Sequence, residues 1–256
     1  MKPDFHKGKT WISSAHQGVV KGVMQPNTLT AYYLAAQKGA DMIETDARMT
    51  KDGVLIVNHD AEVKGFDKAG NPVSYVISET NSSIILNVIL SKEDPNGIQY
   101  VPTLEQALQL AYFTGMCVNI DLKDGIAHAA AVARLVVHTG MRGRTVYATN
   151  GAGAAVISLI LEIDPQARFI DTKNNFTSDA LADIEGYPAK CYVYTSDFSD
   201  ENIAEIRKSG CMLATISLNS TNAEDAFRHH PDMAEYPHTS DFEEIDRKVL
   251  ENWKCY

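Results

Sequence analysis

Short apolar, β-branched runs alternate with amphipathic stretches along most of the chain, and that alternation predicts parallel β/α architecture. Strands are expected over Thr10 to Ala15, Asp41 to Ala47, Cys117 to Leu122, Thr145 to Thr149, Arg168 to Asp171, Lys190 to Tyr194 and Met212 to Leu218. Helices are expected between them, over Thr28 to Lys38, Leu104 to Phe113, Ala127 to His138, Ala154 to Ile163, Ser178 to Glu185 and Asp200 to Lys208. Two carry start signals: Thr103 with Gln106 three residues on, and Ser199 before Asp200-Glu201. Seven such strands point to an α/β fold, a (β/α)8 TIM barrel, whose eighth strand is the weaker segment Ala234 to Thr239, interrupted by Pro237.

One stretch breaks the alternation. After the strand ending at Ala47, a second apolar run, Val54 to Asn58, follows across only Lys51-Asp52-Gly53, too short for a parallel crossover, so the two strands form an antiparallel hairpin. A turn centred on Asp52 and Gly53 would set His59 opposite Asp46. Because the return strand cannot join the barrel, the hairpin projects from the strand's C-terminal end, which is the catalytic face in such barrels. From Ala61 to Val101 periodicity is poor and Gly, Pro and Asn recur, so this segment is expected to be an insertion over the barrel mouth with one short helix near Ser78 to Leu90. The whole of 1–256 is then one barrel domain with an insertion at about 61–101.

Composition narrows the partners. A formal charge of -10 with no basic stripe argues against nucleic acid. No apolar run approaches the roughly 20 residues of a membrane span, and Met1 to Thr10 is polar rather than signal-like, as in a cytoplasmic protein or one whose signal has been removed. Cys117, Cys191, Cys211 and Cys255 are scattered without zinc spacing and are expected to be separate thiols, partly buried. His128 and His138 are expected to face solvent from their helix, and His229-His230 to lie at a solvated helix end.

Candidate chemistry gathers at the expected C-terminal face. Glu44 and Asp46 share one strand parity, Asp121 ends another strand with Lys123 on its parity, and His16 follows the first strand. Three carboxylates without a thiolate favour one divalent cation of the Mg²⁺, Ca²⁺ or Mn²⁺ kind. His16 and His59 suit general acid–base catalysis, and Lys123 suits phosphoryl oxygens.

At these residues the chain resembles the glycerophosphodiester phosphodiesterase family, of the phospholipase C-like phosphodiesterase superfamily. The family pattern reads HRG, PENT, GAD-x-IE-x-D-x-x-x-T-x-D-G-x-x-V-x-HD, PTL, ExK and WTVN. The corresponding segments here are His16-Gln17-Gly18, Gln25-Pro26-Asn27-Thr28, Gly39 to Asp60, Pro102-Thr103-Leu104, Asp121-Leu122-Lys123 and Ile216-Ser217-Leu218-Asn219. The resemblance implies metal binding by Glu44, Asp46 and Asp121 and acid–base catalysis by His16 and His59. It also implies attack of a glycerol 2-hydroxyl on phosphorus, expulsion of the alcohol, and opening of the cyclic phosphate by water. Gln17, Lys123, Ile216 and Asn219 would then face substrate or phosphate, in a small-molecule phosphodiester.

The departures from that pattern bear on the substrate. The family's arginine beside the first histidine is Gln17, which hydrogen-bonds without charge, so weaker phosphate binding is expected. Asp121 stands where glutamate is usual, and Ile216 stands for the family's tryptophan. Two other functions fit the same residues: a phospholipase D-like lipase acting on lysophospholipids or sphingolipids to give a cyclic phosphate, and a non-catalytic barrel that binds a phosphorylated or polyol ligand.

Overall fold

Alternation along the strands sorts the apolar side chains into two cores, and that sorting carries polar residues to the barrel mouth. The computed structural model describes residues 12–18, 24–149, 153–172, 191–208, 210–215 and 223–236. Its elements begin with β1 (Ile12–Ala15), α1 (Leu29–Gln37), β2 (Met42–Met49), β3 (Leu55–Val57), β4 (Glu62–Phe66), β5 (Pro72–Val76), α2 (Ser82–Ile85), β6 (Ile89–Ser91) and β7 (Gln99–Tyr100). They continue with α3 (Leu104–Thr114), β8 (Cys117–Leu122), α4 (Gly125–His138), β9 (Thr145–Ala148), α5 (Gly153–Ile163), β10 (Arg168–Thr172), β11 (Cys191–Thr195), α6 (Asp200–Lys208), β12 (Met212–Thr215), α7 (Ala223–Arg228) and β13 (Met233–Tyr236).

Strands β1, β2 and β8 to β13 run parallel, and β1 pairs with both β2 and β13, so the sheet closes into an eight-stranded barrel surrounded by helices. The weak eighth strand therefore forms, at Met233–Tyr236, and the rest of the expected segment, 237–239, lies outside the described residues. The expected helix over Ser178 to Glu185 lies outside the described residues. Ile12, Met42, Cys117, Val146, Ile170, Tyr192, Ala214 and Met233 fill the barrel axis. Their sequence neighbours Ile43, Val118, Tyr147, Phe169, Val193 and Leu213 face outward and pack with Tyr32, Leu108 and Val132 of the helices. Two residues further along the inward face the side chains turn polar: Ser14, Glu44, Asn119, Tyr194 and Glu235. The axis is thus apolar at its base and acidic at its top.

Local signals place the helices. Thr103 and Gln106 form the reciprocal capping box at the start of α3, which ends on the left-handed Gly115. The Thr28 hydroxyl caps α1 by accepting from the Ala31 N–H. Among the described residues no helix is long and apolar enough to cross a membrane. Among the described residues Cys117, Cys191 and Cys211 are buried and in no disulfide.

Three expectations need correction. The β2–β3 ladder pairs Met49 with Leu55, Arg48 with Ile56 and Ala47 with Val57. Asp46 consequently faces Asn58, whose N–H it accepts at 3.0 Å, and not His59. The loop holds three residues, not two: the Thr50 and Val54 backbones bond across it, and Gly53 takes the left-handed φ of 82° that closes such a loop. A one-residue slip is the whole difference.

The segment after the hairpin is also more ordered than its periodicity suggested. Its four short strands pair antiparallel in the order β5-β4-β6-β7, and the expected helix over 78–90 shrinks to Ser82–Ile85. Gly70-Asn71-Pro72 turned out to close a hairpin, with the Asp67 carboxylate accepting from the Asn71 N–H. Val63, Ile77, Ile85, Val88 and Val101 pack on Ile56 of β3, so this small sheet braces the projecting hairpin. Finally, His128 does not face solvent. It shares a face of α4 with Val132 and Val136, is buried, and neither ring nitrogen has a hydrogen-bond partner among the described residues. Burial, followed by a smaller push from Arg48, takes this imidazole down to about 4 against the pull of Asp124.

Candidate active site

Strand register assembles the acids. Glu44 and Asp46 are two residues apart on β2 and share the barrel-facing side, while Asp46 pairs with Asp121 and Glu44 with Asn119 on β8. One oxygen from each of Glu44, Asp46 and Asp121 lies within 4.8 Å of the other two. Such an arrangement is unfavourable unless positive charge or donors meet it.

The donors come from three directions. The Gln17 backbone N–H donates to Glu44 Oε2 at 2.9 Å, and its side-chain Nε2 donates to Asp46 Oδ2 at 2.9 Å. Asn27 Nδ2 donates to the same Asp46 oxygen at 2.7 Å and is itself oriented by the Tyr32 hydroxyl, which donates to Asn27 Oδ1 at 2.8 Å. Lys123 Nζ lies 3.1 Å from Asp46 Oδ1 and 2.6 Å from Asp121 Oδ2. Burial works against the Lys123 charge, but its bond to Asp121 and the field of Asp46 outweigh that and raise its pKa. Glu44 has no such cation: burial first, then Asp46, Glu235 and Asp121, hold its carboxyl well above the usual range despite the Gln17 N–H. Three hard oxygen donors, one of them short of counter-charge and none a thiolate, fit a divalent cation of the Mg²⁺ or Ca²⁺ class.

His16 enters on the turn after β1, with Nε2 3.9 Å from Glu44 Oε2. Burial leads in lowering its pKa, His59 and Lys123 add to that, and Asp46 and Asp121 pull the other way. The imidazole is therefore mostly neutral at neutral pH. The turn is tight: Gln17 and Gly18 both have left-handed backbones, at φ 53° and 69°. A Cβ on Gly18 would lie 2.4 Å from Tyr32 Cδ1 and 3.0 Å from the Ala31 backbone. Gly18→Ala is therefore expected to destabilise the fold by roughly 1–3 kcal/mol. Its denaturant midpoint checks this; an unshifted midpoint would show that the turn adapts freely.

His59 stands at the rim, its side chain 57% exposed, with Nδ1 2.9 Å from Asp60 Oδ1. Asp60 is held below the usual carboxylate range chiefly by that bond. Beside Lys123 an open cleft of about 470 Å³ is lined by Leu122, Ile126, Thr149 and Val156. The structure thus brings His16, Gln17, Glu44, Asp46, Asp121 and Lys123 together and sets His59 at their edge. Ile216 and Asn219 lie outside the described residues.

Sequence reasoning missed a further buried acid in the same inward layer as Glu44. Glu235 on β13 is buried and accepts a 2.5 Å hydrogen bond from the Tyr194 hydroxyl, which in turn accepts from Asn119 Nδ2 at 2.8 Å. Burial pushes Glu235 up to about 7, helped by Asp121 and Asp46 and opposed by the Tyr194 bond. Its signal was a carboxylate two residues after Met233 on an otherwise apolar strand.

The sequence model of the glycerophosphoryl diester phosphodiesterase family matches residues 16–157, a stretch that includes His16, both strands of the hairpin, Asp121 and Lys123. The chain belongs to that family. A glycerophosphodiester phosphodiesterase of Bacillus subtilis is 37% identical over 229 residues, covering 82% of this chain and 77% of the relative. Another family member, from Caldanaerobacter subterraneus subsp. tengcongensis, is 35% identical over 113 residues, which is 44% of this chain and 45% of that protein. With that relative the chain aligns over less than half of the relative's length. Among solved structures, a glycerophosphodiester phosphodiesterase of Agrobacterium tumefaciens superposes with a TM-score of 0.70 at 24% identity, covering 91% of this chain and 98% of its own. An Oleispira antarctica phosphodiesterase, solved in complex with the product sn-glycerol-3-phosphate, gives 0.72 at 17% identity, with 92% and 96% covered. These likenesses are of fold, and they place the family's barrel over nearly the full chain.

Proposed function

We propose that the protein is a cation-dependent phosphodiesterase that cleaves glycerophosphodiesters to glycerol 3-phosphate and an alcohol. The observation that carries this reading is the cluster of Glu44, Asp46 and Asp121 with His16 beside it at the C-terminal mouth of the barrel. Glu44, Asp46 and Asp121 would hold one divalent cation, Mg²⁺ or Ca²⁺ with Mn²⁺ as the third choice. Bound there, the cation would supply Lewis-acid stabilisation of negative charge on the phosphoryl group.

The chain's own groups divide the proton transfers. Neutral His16 accepts the proton of the attacking 2-hydroxyl, and His59, reaching in from the hairpin, donates to the departing alcohol oxygen. The two exchange roles when water opens the cyclic phosphate. Lys123 turns from Asp121 toward a phosphoryl oxygen, and Gln17 supplies an amide donor where the family pattern has a cation. Ile216 and Asn219 are proposed as further substrate contacts. The test is a panel of glycerophosphodiesters assayed with Mg²⁺, Ca²⁺ and Mn²⁺ in turn. Turnover that needs one of these ions supports the reading, and its absence with every substrate and ion rejects it in favour of a ligand-binding barrel.

A second reading has one observation behind it. The cleft beside Lys123 is lined mainly by Leu122, Ile126 and Val156, which would suit the apolar part of a lysophospholipid in a phospholipase D-like reaction. Phosphorus NMR of the products separates the two, because a cyclic phosphate that persists marks the lipase. The Gln17 position also yields a prediction. Gln17→Arg is expected to lower KM for a glycerophosphodiester by roughly five- to tenfold, the gain of a charge-assisted over a neutral hydrogen bond. A raised KM would mean that the Gln17 bond to Asp46 matters more than phosphate binding.

A further inference from the structure

His59 stands one residue beyond the Asn58–Asp46 bond that ends the hairpin ladder, and residues 59–61 bend away, so strand pairing does not fix its backbone. Arg48 does. Its Nε and Nη2 donate to the His59 carbonyl at 3.1 and 2.8 Å, while Nη1 donates to Asp124 Oδ1 at 2.7 Å. The other Asp124 oxygen accepts from the Met49 N–H at 3.0 Å. Two features show that this contact is more than a surface ion pair. The Arg48 and Asp124 side chains are only 15% and 32% exposed. Asp124 also occupies the N-cap position of α4 yet makes no capping bond there, forgoing a contribution of about 1 kcal/mol.

Asp124 directly follows Lys123, whose Nζ bridges Asp46 and Asp121. We infer that Arg48 and Asp124 are positioning residues that fix the His59 backbone relative to the carboxylate cluster, joining the hairpin to the end of β8. The inference rests on the reading of His59 as the acid–base partner of His16. Three N–H groups must reach two acceptors in different directions, which a planar guanidinium does and an ammonium does not.

The test uses the full chain labelled with ¹³C-histidine, with the His59 signal assigned by loss in His59→Gln. Arg48→Ala and Arg48→Lys are expected to move the His59 signal and leave the His16 signal in place. They should lower kcat roughly 10- to 100-fold, as misplacement by about 1 Å does, with KM within about threefold. Asp124→Ser supplies a side-chain oxygen able to cap α4 and loses the carboxylate. It should melt within a few degrees of the parent and still shift the His59 signal and lower kcat. An unmoved His59 signal in Arg48→Ala, or losses that merely follow melting temperature across the variants, would overturn the inference. If the parent protein turns over no diester, the phosphodiesterase reading fails by itself, and the NMR comparison alone decides whether Arg48 and Asp124 hold His59.

Discussion

Alanine at His16 or at His59 is expected to lower kcat for a glycerophosphodiester by about 10²- to 10⁴-fold while leaving KM within a few fold. Each residue handles a proton in the transition state and contributes little to ground-state binding, so the loss belongs in kcat. The double variant should be little worse than either single one, because a proton accepted by one group has no use without its delivery by the other. The two differ in surroundings, and the pH profile should show it. His16 lies below the ordinary imidazole range, first because it is buried, and must be neutral to accept a proton. Activity should therefore rise with pH through that depressed value and be level by pH 7, and the acid limb should disappear in His16→Ala. Steady-state kinetics from pH 4.5 to 9 check both statements. Variants that keep the parent kcat would make the histidines structural.

The parts of this fold legible from sequence were those governed by strand parity. Alternation placed Glu44 with Asp46 and Asp121 with Lys123, and the β2–β8 register, a long-range property of the closed barrel, made the two pairs neighbours. What parity could not supply was the count of residues in a turn. Gly53 with a positive φ suits a two-residue or a three-residue loop equally, and the choice between them moved His59 off Asp46. His128 was misplaced for a different reason: a polar residue on an amphipathic helix was assigned by chemistry, whereas its spacing to Val132 and Val136 placed it inward. Glu235 lies on a strand whose propensity is weak, with Pro237 two residues on, so strand periodicity alone does not mark it. A buried carboxylate on an apolar strand is an electrostatic signal even where strand propensity is poor. The small sheet over 62–100 was hidden because its strands are five residues or fewer, too short for alternation to stand out.

Removal of divalent cations should abolish turnover and also change stability, and Glu44→Gln separates the two effects. In the cation-free protein Glu44 is buried beside Asp46 and Asp121, with its carboxyl raised well above the ordinary 4.5 by burial and by those charges. Across that window the folded protein keeps a proton that the unfolded chain has released, so cation-free stability falls as pH rises. A bound cation reverses the penalty, and at about 100 times its Kd contributes ~2.7 kcal/mol. For a chain of this size that corresponds to roughly 5–10 °C in melting temperature, with a larger shift at pH 8 than at pH 5. Glutamine keeps an acceptor for the Gln17 N–H and removes one of three crowded charges. Cation-free Glu44→Gln should therefore melt at or above the parent, lose most of the cation-induced shift, and turn over substrate at least about 10³-fold more slowly. Calorimetry at both pH values with and without Mg²⁺ or Ca²⁺ checks this. A variant that melts lower without cation and still gains the full shift would place the cation elsewhere, and the carboxylate cluster would then be held together by Lys123, Gln17 and Asn27.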